Sequence, residues 1–357
     1  MKISQADRQS ILETALQAPT ADNSQPWIFE WISDSLNITH DASRAQHPLN
    51  PKNSASALML GCLLETIEIA ALDVGLKIRI DLKDLSAEGN ALWACVDFVL
   101  TDLAADPLSK FIRVRSTDRR KFNKGELSAG LFNEIKLNES KYAPARLHVV
   151  SNIHSDLQNY IVDAEQNLMD HSDILPAVMK WTRFTMSEAR RTGDGISWRN
   201  MLAKVWELPV MYLVPKFPAF LNLVRPQMVK QHRARTLQQL NSSAGLICIS
   251  SKKTSTHFEG AVQAGRLMMR VWLRLTQLGY GVQPVSLATL PIFYQRENLM
   301  DSFFSKQADF FKQGETTLRN SFAIAEENFP IWMIRTGIST PLPAEMRTFR
   351  KPLKPLS

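Results

Sequence analysis

The first hundred residues alternate between helical and extended hydrophobic patterns. A possible cap at Ser4 and apolar residues at helical spacing predict a helix over 5–17, which Pro19 ends. A second helix is predicted over 54–74, where a long apolar run indicates a buried helix that ends at Gly75. Strands are predicted around these helices, at 26–32, 36–40, 76–82 and 91–100.

The rest of the chain repeats this order after a short helix that begins near residue 106. Further helices are predicted over 127–137, 153–171 and 258–278, and the last of these is long, apolar and ended by Gly279. Strands are predicted at 146–151, 244–250, 281–288 and 331–336. Residues 173–242 contain many prolines and aromatic residues, and we predict an irregular segment there.

The two parts share a pattern but not residue identities. Each has a long apolar helix that ends at a glycine and leads directly into a strand. This predicts an α+β fold of two similar halves, each with a sheet packed against helices. We expect the first half at 1–105, the second at 106–340 with a long insertion at 173–242, and a basic tail at 341–357.

Two apolar segments raise the question of membrane contact. Acidic residues interrupt the run over 55–76, so a buried helix is expected there. Prolines divide the run over 206–224 into pieces too short to cross a bilayer, and we expect it to cover a core or pocket, with shallow membrane contact as the alternative. The amino terminus has no signal-peptide pattern.

Cysteine and histidine placement argues against disulfide and metal chemistry. Cys62, Cys95 and Cys248 lie in separate apolar runs without short spacing, which predicts buried thiols in a reducing cytoplasm. The seven histidines are scattered, so a metal site is not expected.

The net charge of +7 is concentrated in two short segments. Residues 108–124 contain seven basic residues against one acidic residue, and residues 345–357 contain four against one. The rest of the chain is therefore slightly acidic. With 45% hydrophobic and 22% charged residues, the composition is that of a globular protein with a large core, which excludes a disordered chain and a small disulfide scaffold.

Two segments combine residue types that suit a polar ligand. Residues 18–27 (APTADNSQPW) join a helix end, a polar turn and a strand start, although a purely structural turn would use the same residues. Residues 113–122 (RVRSTDRRKF) place hydroxyl groups among arginines, which suits a phosphate. A solvated loop or a nucleic-acid patch would account for the second segment equally well.

Two further segments indicate a ligand site only in combination with the first two. Residues 278–286 (LGYGVQPVS) end a helix at Gly279, and Gly281 permits close backbone approach, although a helix stop before a strand needs no ligand. The basic residues of 347–351 (RTFRK) would simply be solvated unless they return to the same phosphate.

Together these four segments resemble the flavin-dependent nitroreductase family. Residues 18–27 are similar to its Ser/Thr-x-x-Asn-x-Gln-Pro-Trp turn, residues 113–122 to its Arg-x-Ser/Thr-x-Arg motif, and residues 278–286 to its Leu-Gly-Leu-Gly…Pro-Ile segment. In ordinary members the arginine motif precedes the turn, whereas here it follows by about ninety residues. That order resembles the single-chain, Acg-like branch, in which two nitroreductase-like halves mimic the usual homodimer.

The resemblance implies one FMN between the halves and assigns residues to it. Arg115, Thr117 and Arg119 match the phosphate and pyrimidine-edge motif, and Arg350 and Lys351 match the basic tail at the phosphate. The flavin-contacting turn is matched by Thr20, Asn23, Ser24 and Gln25. Pro284, Val285 and Ser286 match the segment whose backbone N–H meets flavin N5, so Ser286 is the candidate catalytic residue. The second half has no such turn, and a second FMN is not expected.

The function implied by the resemblance is hydride transfer from NAD(P)H through FMN to a small acceptor, with the chemistry supplied by the flavin. The candidate lid over the site is the 173–242 segment, which would select the substrate or block access to the flavin. It contains Trp181, Arg183, Phe184, Trp198, Trp206, Tyr212 and Phe217. Alternatives are an FMN storage protein with an occluded flavin, a special flavin reaction, and a nucleic-acid or anionic-membrane binder. We expect a cytoplasmic monomer that mimics a dimer, or a homodimer, without nucleic acid or stable membrane insertion.

Overall fold

The computed structural model describes residues 3–169, 174–213, 217–254, 258–300 and 302–353, and two antiparallel sheets form its framework. The strands in this part of the chain are β1 (Trp27–Ile32), β2 (Ser35–His40), β3 (Leu76–Leu82), β4 (Ala91–Leu100), β5 (Arg146–Val150), β6 (Thr182–Arg183), β7 (Ile196–Ser197), β8 (Gly245–Ser251), β9 (Tyr280–Pro284) and β10 (Phe329–Ile338).

Both four-stranded sheets have the same topology. The first has the order β1-β2-β4-β3 and the second the order β5-β8-β10-β9, and all their pairings are antiparallel. Counted along the chain, each sheet therefore runs first, second, fourth, third. The two-residue strands β6 and β7 pair in parallel and stand apart from both sheets. The predicted α+β class is confirmed.

Helices fill the connections between these strands. Over the described residues they are α1 (Gln5–Ala15), α2 (Ala42–Ala45), α3 (Ser54–Leu72), α4 (Ser109–Ile112), α5 (Asn133–Leu137), α6 (Ser155–Met169), α7 (Ile174–Lys180), α8 (Met186–Thr192), α9 (Leu208–Leu213), α10 (Pro218–Asn241), α11 (Glu259–Gln277), α12 (Leu290–Arg296), α13 (Ser302–Lys306) and α14 (Ala308–Phe322). The Ser4 hydroxyl accepts the Asp7 N–H, which confirms the predicted cap of α1.

The two long apolar helices cross at glycines. A Cβ at Gly61 of α3 would overlap the carbonyl oxygen of Val262, and one at Gly265 of α11 would overlap that of Leu58. The backbones are therefore in direct contact at the crossing, which only glycine permits. Helix α3 packs on β3, and α11 packs on β8 and β9, so the crossing connects the helices that pack on the two four-stranded sheets. The bounds of both helices agree with the sequence prediction within two residues.

A buried ion-pair network holds the same two helices together. Glu65 is fully buried and accepts hydrogen bonds from Arg266 Nε (3.1 Å), Arg270 Nη2 (2.6 Å) and the Tyr142 hydroxyl (3.0 Å). Burial acts to raise the pKa of Glu65, but the two guanidinium groups hold that pKa below its usual range. The carboxylate is therefore charged in the folded protein and stabilises both arginines.

The prediction of an irregular segment over 173–242 is wrong for much of its length. Helix α10 covers 24 residues of it and packs on α6. Pro218 stands at the start of α10, where its missing N–H costs no helical hydrogen bond, and Pro226 lies inside the helix. The aromatic and proline content thus led to the prediction of an irregular segment where the chain forms a helix that starts at one proline and accommodates another in its interior.

Two further expectations differ from the structure. Strand β9 ends at Pro284 rather than near residue 288, because the chain turns into a 3-10 helix at Ser286–Ala288. The region predicted as one helix over 127–137 is a 3-10 turn, Ala129–Phe132, followed by the short helix α5. The sequence pattern does not predict helices α12 and α14.

One helical stretch in the described residues, Pro51–Leu72, has the length and apolar composition of a membrane span, and 89% of its apolar window is buried inside the protein. The prediction that this segment forms a buried helix is therefore confirmed. The thiols of Cys62 and Cys248 are buried, whereas that of Cys95 is half-buried.

Candidate functional site

A cavity of about 730 Å³ is lined by residues from widely separated parts of the chain, between Pro19 and Arg350. Its size is within the range of sites for small organic ligands. Its lining includes the turn after α1, the beginning of α3, the loop after α4, the end of β9 and Trp272 of α11. Residues from the 174–232 region and the C-terminal tail complete the wall.

The polar turn after α1 is held in an unusual backbone conformation. Asp22, Asn23 and Gln25 all have positive φ angles of 51°, 54° and 49°. The side-chain amide of Asn23 donates to the carbonyl oxygens of Gly195 (3.1 Å) and Phe349 (2.9 Å). The turn therefore contacts two segments that are distant from it in sequence. It also forms part of the cavity wall.

Arg115 and Arg350 form what we call the basic wall of the cavity. Arg115 donates to the carbonyl oxygen of Gln17 (2.7 Å), and its guanidinium carbon lies 4.6 Å from the ring centroid of Trp272. Arg350 donates from Nη1 to Asn23 Oδ1 (2.6 Å). The Nε atoms of both arginines are buried without a hydrogen-bond partner, and neither side chain pairs with a carboxylate among the described residues.

The environment of the basic wall is unfavourable to its charges. Burial lowers the pKa of Arg115 to about 10. Burial, together with the charge of Arg115, lowers the pKa of Arg350 to about 9. Both groups are charged at neutral pH, so the wall presents two adjacent, partly dehydrated cations. A bound anion would supply the missing acceptors and relieve their repulsion.

The rest of the arginine motif is divided between the cavity and the protein interior. Arg119 lines the cavity and donates to the carbonyl oxygen of Asn200 (3.3 Å), and Thr117 lines it beside a parallel bridge to Val282. Arg120 instead forms an ion pair with Asp118 (2.7 Å). Residues 115–117 and Arg119 therefore line the cavity, whereas Asp118 and Arg120 form a structural pair.

The segment after β9 contains one backbone N–H that neither the sheet nor the following helical turn uses. The N–H of Val285 donates to the carbonyl oxygen of Met333 (2.8 Å) and is used by the sheet. Ser286 opens a 3-10 helix, and an N–H at that position has no partner within the helix. The Ser286 hydroxyl accepts the indole N–H of Trp332 (3.0 Å).

Residues between 174 and 232 close another side of the cavity. Trp181, Ile196 and Asn200 line it, and so do Met228, Val229 and His232 of α10. Trp206, Tyr212 and Phe217, which the sequence places in the lid, are instead exposed on the surface.

Ion pairs attach this segment to the turn after α1. Asp194 accepts from Arg44 Nη2 (2.5 Å) and from Arg183 Nη2 (2.6 Å). Arg44 Nε also donates to the carbonyl oxygen of Ser24 (2.6 Å). The arginines, through hydrogen bonds, hold the pKa of Asp194 below its usual range against the opposing effect of burial, so the attachment is charged at neutral pH.

Most of the residues assigned by resemblance come together at this cavity. Its lining includes Thr20, Asn23, Ser24, Arg115, Thr117, Arg119, Pro284, Ser286 and Arg350. Gln25, Val285 and Lys351 lie outside that lining. Gln25 donates to the carbonyl oxygen of Gly193 (2.9 Å) and accepts the backbone N–H of Lys351 (3.0 Å), so it supports the wall from behind.

Sequence reasoning missed an acidic residue and a histidine in the cavity wall. Asp22 Oδ2 lies 3.6 Å from Nε2 of His47, and both residues line the cavity. The sequence shows an acidic residue at position 22 of the turn, but no sequence motif relates Asp22 to His47. Arg44 was missed for the same reason, because its partner Asp194 lies 150 residues away in the sequence.

A second cavity of about 510 Å³ is lined by Glu259, Val262 and Gln263 of α11 and by Glu68 of α3, among others. The three α11 residues lie six, three and two positions before Gly265, and Glu68 lies seven after Gly61. The first cavity uses the corresponding positions of the other helix, namely Ala55, Leu58 and Met59 of α3 and Trp272 of α11. The described residues include no cluster of three or more side chains suited to a metal ion.

No protein-family model and no curated protein matches the sequence. Among solved structures, the chain is similar to an FMN-dependent nitroreductase from Clostridium difficile R20291, with 12% identity, a TM-score of 0.36, and coverage of 71% of this chain and 98% of that one. It is also similar to the FMN-dependent nitroreductase NfnB from Mycobacterium smegmatis in complex with NADPH (14% identity, TM-score 0.35, 64% and 86% covered). A putative nitroreductase from Anabaena variabilis covers more of this chain (11% identity, TM-score 0.34, 94% and 74% covered). These TM-scores are below 0.5, so this similarity supports no conclusion about the fold or the site of this chain.

Proposed function

We propose that the chain is an FMN-dependent oxidoreductase whose cofactor occupies the 730 Å³ cavity. The observation that supports this most directly is the basic wall, where the buried Arg115 and the half-buried Arg350 each have a buried Nε without a partner and lack a carboxylate partner among the described residues. Arg115 and Arg350 would bind the phosphate, with Thr117 and Arg119 beside them. The mixed apolar and polar lining suits an amphipathic heterocycle with a charged end.

When bound, FMN would supply hydride transfer between NAD(P)H and a small acceptor. The protein would contribute position and electrostatics. The N–H of Ser286 would donate a hydrogen bond to the ring, and the cationic side chain of Arg119 would favour the reduced, anionic form. Residues 174–200 and α10 would exclude water and limit the size of the acceptor.

We also propose that the two halves, 1–105 and 106–340, arose as a pair that mimics a homodimer. The shared strand order and the reciprocal crossing of Gly61 and Gly265 support this. The second cavity would then be the counterpart of the first, because matching positions of α3 and α11 line both. Its basic residues Lys141 and Arg266 pair with Glu65 or Glu68, so we expect only the first cavity to bind FMN.

The test begins with the absorbance spectrum of the purified protein and the identification of any released flavin. Anaerobic addition of NADH or NADPH should bleach the flavin, and addition of an acceptor should restore it. A colourless protein that cannot be reconstituted with FMN would disprove the proposal. Flavin at about one equivalent per chain is expected, whereas two equivalents would contradict a single site.

A flavin-binding or storage protein is the second candidate. The observation in its favour is that the segment containing Trp181 and helix α10, together with the tail, covers the cavity. Bound FMN that stays oxidised with both nicotinamides, but is bleached by dithionite, would favour this alternative over turnover.

A further inference from the structure

Asp22 is a carboxylate in the cavity wall that is not held by strong hydrogen bonds. Its side chain is 23% exposed, and its nearest basic partner among the described residues is His47 Nε2 at 3.6 Å. The other carboxylate of the lining, Glu165, accepts from Thr236 Oγ1 (2.7 Å) and from His232 Nε2 (3.1 Å). Asp22 is therefore available to exchange a proton with a ligand, whereas Glu165 is engaged in structure.

The hydrogen bonding of His47 determines which of its nitrogens carries the proton. Nδ1 accepts the backbone N–H of Leu49 (3.0 Å), so that nitrogen must have a free lone pair. The neutral imidazole then has its proton on Nε2, which faces Asp22 and is buried without a hydrogen-bond partner in the described residues. His47 is thus arranged to donate to the Asp22 carboxylate and to stabilise it after proton loss.

The backbone at Asp22 also indicates a specific requirement. Its φ of 51° is in the left-handed region, which is unfavourable for residues other than glycine, asparagine and aspartate. This backbone conformation therefore suits a short polar side chain such as aspartate at position 22. Here it accompanies the exposure of the carboxyl group to the cavity, next to the donors of Asn23 and Ser24.

We propose that Asp22 donates a proton to the acceptor during its reduction and that His47 is the residue that positions Asp22. This rests on the proposed function. The acceptor class is a compound with a polarised double bond, such as a conjugated carbonyl or a nitro group. One atom of that bond receives a hydride, with its two electrons, from the reduced cofactor. The Asp22 O–H bond breaks as its proton bonds to the neighbouring atom, and solvent then reprotonates the carboxylate.

The pH dependence follows from the groups around Asp22. Burial raises the pKa of Asp22, while the positive charges of His47, when protonated, and Arg119 oppose that shift. Burial, assisted by the charge of Lys180, lowers the pKa of His47, although Asp22 opposes this change. Because the protonated carboxyl is the active form, proton-dependent reduction should slow as pH rises through the Asp22 pKa.

The decisive variant is Asp22→Asn, since asparagine tolerates a positive φ and removes only the acidic proton. Reduced, FMN-loaded protein would be mixed with 2-cyclohexen-1-one, with nitrofurazone, or with ferricyanide, which takes an electron without a proton. We expect Asp22→Asn to slow reoxidation by the enone or the nitro compound by about 10²- to 10⁴-fold. Reoxidation by ferricyanide and reduction by NADPH should be unchanged. The surface variant Asp156→Asn is the matched control.

Two further readouts separate proton donation from a structural role. The wild-type rate with the enone should fall with rising pH, while the residual rate of Asp22→Asn should not. His47→Gln should change the pH at which the wild-type rate falls, because it removes a neighbour of Asp22 without removing the acid. Equal losses with ferricyanide and the enone would indicate a structural defect and overturn the proposal, as would an unchanged rate with both.

Carboxyl carbon NMR of the FMN-free protein provides a test that does not depend on activity. A carboxyl group with a raised pKa should be present in the wild type and missing in Asp22→Asn. An ordinary titration of Asp22 would overturn the proposal even if the protein proved unable to use FMN. Failure to bind or reduce FMN would instead count against the proposed function. Reduced wild-type protein that neither proton-requiring acceptor reoxidises would overturn the assigned acceptor class.

Discussion

Buried arginines in this protein have two distinct roles, which their hydrogen bonds separate. Arg335 is 1% exposed and its pKa is lowered to about 10 by burial, much like Arg115. However, Arg335 donates from Nε to Gln283 (2.8 Å) and from Nη2 to the carbonyl oxygen of Arg120 (2.7 Å), and it stacks on Phe122. Arg335 is therefore satisfied by the fold, whereas Arg115 and Arg350 keep buried N–H groups for an external acceptor.

Arg115→Met should separate ligand binding from folding. Methionine preserves much of the side-chain volume beside Trp272 but removes the charge-assisted contacts to a phosphate. Loss of one such contact costs about 1.5–3 kcal/mol, so the Kd for FMN should rise about 10- to 150-fold. The FMN-free protein should be as stable as wild type or more so, because a buried charge without a partner is removed.

Titration of FMN by fluorescence and urea unfolding of the FMN-free protein would measure the two effects. Arg113→Met is the matched control, since Arg113 is exposed and its ion pair with Glu13 is long, at 3.5 Å. An Arg115→Met protein that binds FMN as tightly as wild type would remove Arg115 from the site.

The sequence allowed the chemistry of these residues to be predicted better than their contacts in the folded protein. The hydroxyl and guanidinium groups of residues 113–122 are typical of phosphate binding, and Arg115, Thr117 and Arg119 do line the cavity. The pattern could not show that Arg120 pairs with Asp118 instead. Nor could it bring Asp22 to His47, because contacts between segments depend on tertiary packing.

At the scale of elements, the crossing of α3 and α11 brings together the helices that pack on the two four-stranded sheets. Both helices were predictable because a long apolar run that ends at a glycine is typical of a buried helix. Their crossing point was not, since Gly61 and Gly265 each lie in the middle of a strongly helical pattern. The requirement for glycine arises from close backbone approach, which is a property of the helix pair.

Gly61→Ala should therefore destabilise the protein although alanine favours helices. Its Cβ would overlap the Val262 carbonyl oxygen, and the helices would have to separate. Because the clash is with backbone atoms that cannot rotate away, we expect a cost in the upper part of the ~1–3 kcal/mol range for overpacking, above the gain of about 1 kcal/mol in helix propensity. Urea unfolding would measure the change. Gly130→Ala is the control, because its Cβ would meet only the ordinary contacts of Ser128 and Asn133 at 3.6 and 3.9 Å. Equal stability changes in the two variants would contradict the close crossing.

Glu65→Gln tests the ion-pair network of the same helices. The variant removes the carboxylate that Arg266 and Arg270 share, while each arginine keeps a second partner, Glu68 or Asp106. The loss of stability should therefore be smaller than the ~3–5 kcal/mol that a fully broken buried pair costs. In the wild type the folded-state pKa of Glu65 is lowered, so its contribution is present above the unfolded pKa and is lost as pH falls through the folded pKa. The difference in unfolding free energy between wild type and Glu65→Gln should therefore be larger at pH 7 than at acidic pH. A constant difference would contradict the assigned charge.

Helix α10 is an element that the sequence pattern failed to predict. Its sequence contains Pro218, Pro226 and several aromatic or apolar residues, which together indicate an irregular cover. The helix forms because Pro218 occupies the first turn and because α6 packs against its side. Arg233 forms an ion pair with Asp163 of α6, and His232 forms a hydrogen bond with Glu165 of the same helix. No local sequence pattern predicts these long-range contacts.

At the scale of the whole molecule, the C-terminal tail joins parts of the site that are far apart in sequence. The carbonyl oxygens of Met346 and Phe349 accept from Asn200 and Asn23, and the N–H of Lys351 donates to Gln25. Gly193 must remain glycine-like in size, because a Cβ there would collide with the backbone of residues 350–351. The tail thus supplies one arginine of the basic wall and also fastens the 182–200 segment to the turn after α1.

A variant ending at residue 340 separates these two roles of the tail. Both sheets should remain, because β10 ends at Ile338. We expect the Kd for FMN to rise at least as much as in Arg350→Met, about 10- to 150-fold, because the same charge-assisted contacts are lost. Trypsin should also cleave faster near Arg190 and Arg191 of α8, since the backbone contacts that hold the following segment are gone. Arg350→Met keeps those contacts, so it should lose affinity without faster cleavage. If the truncated protein binds FMN and resists trypsin as the full chain does, the tail has neither role, and the basic wall must be completed by Arg115 with its other neighbours.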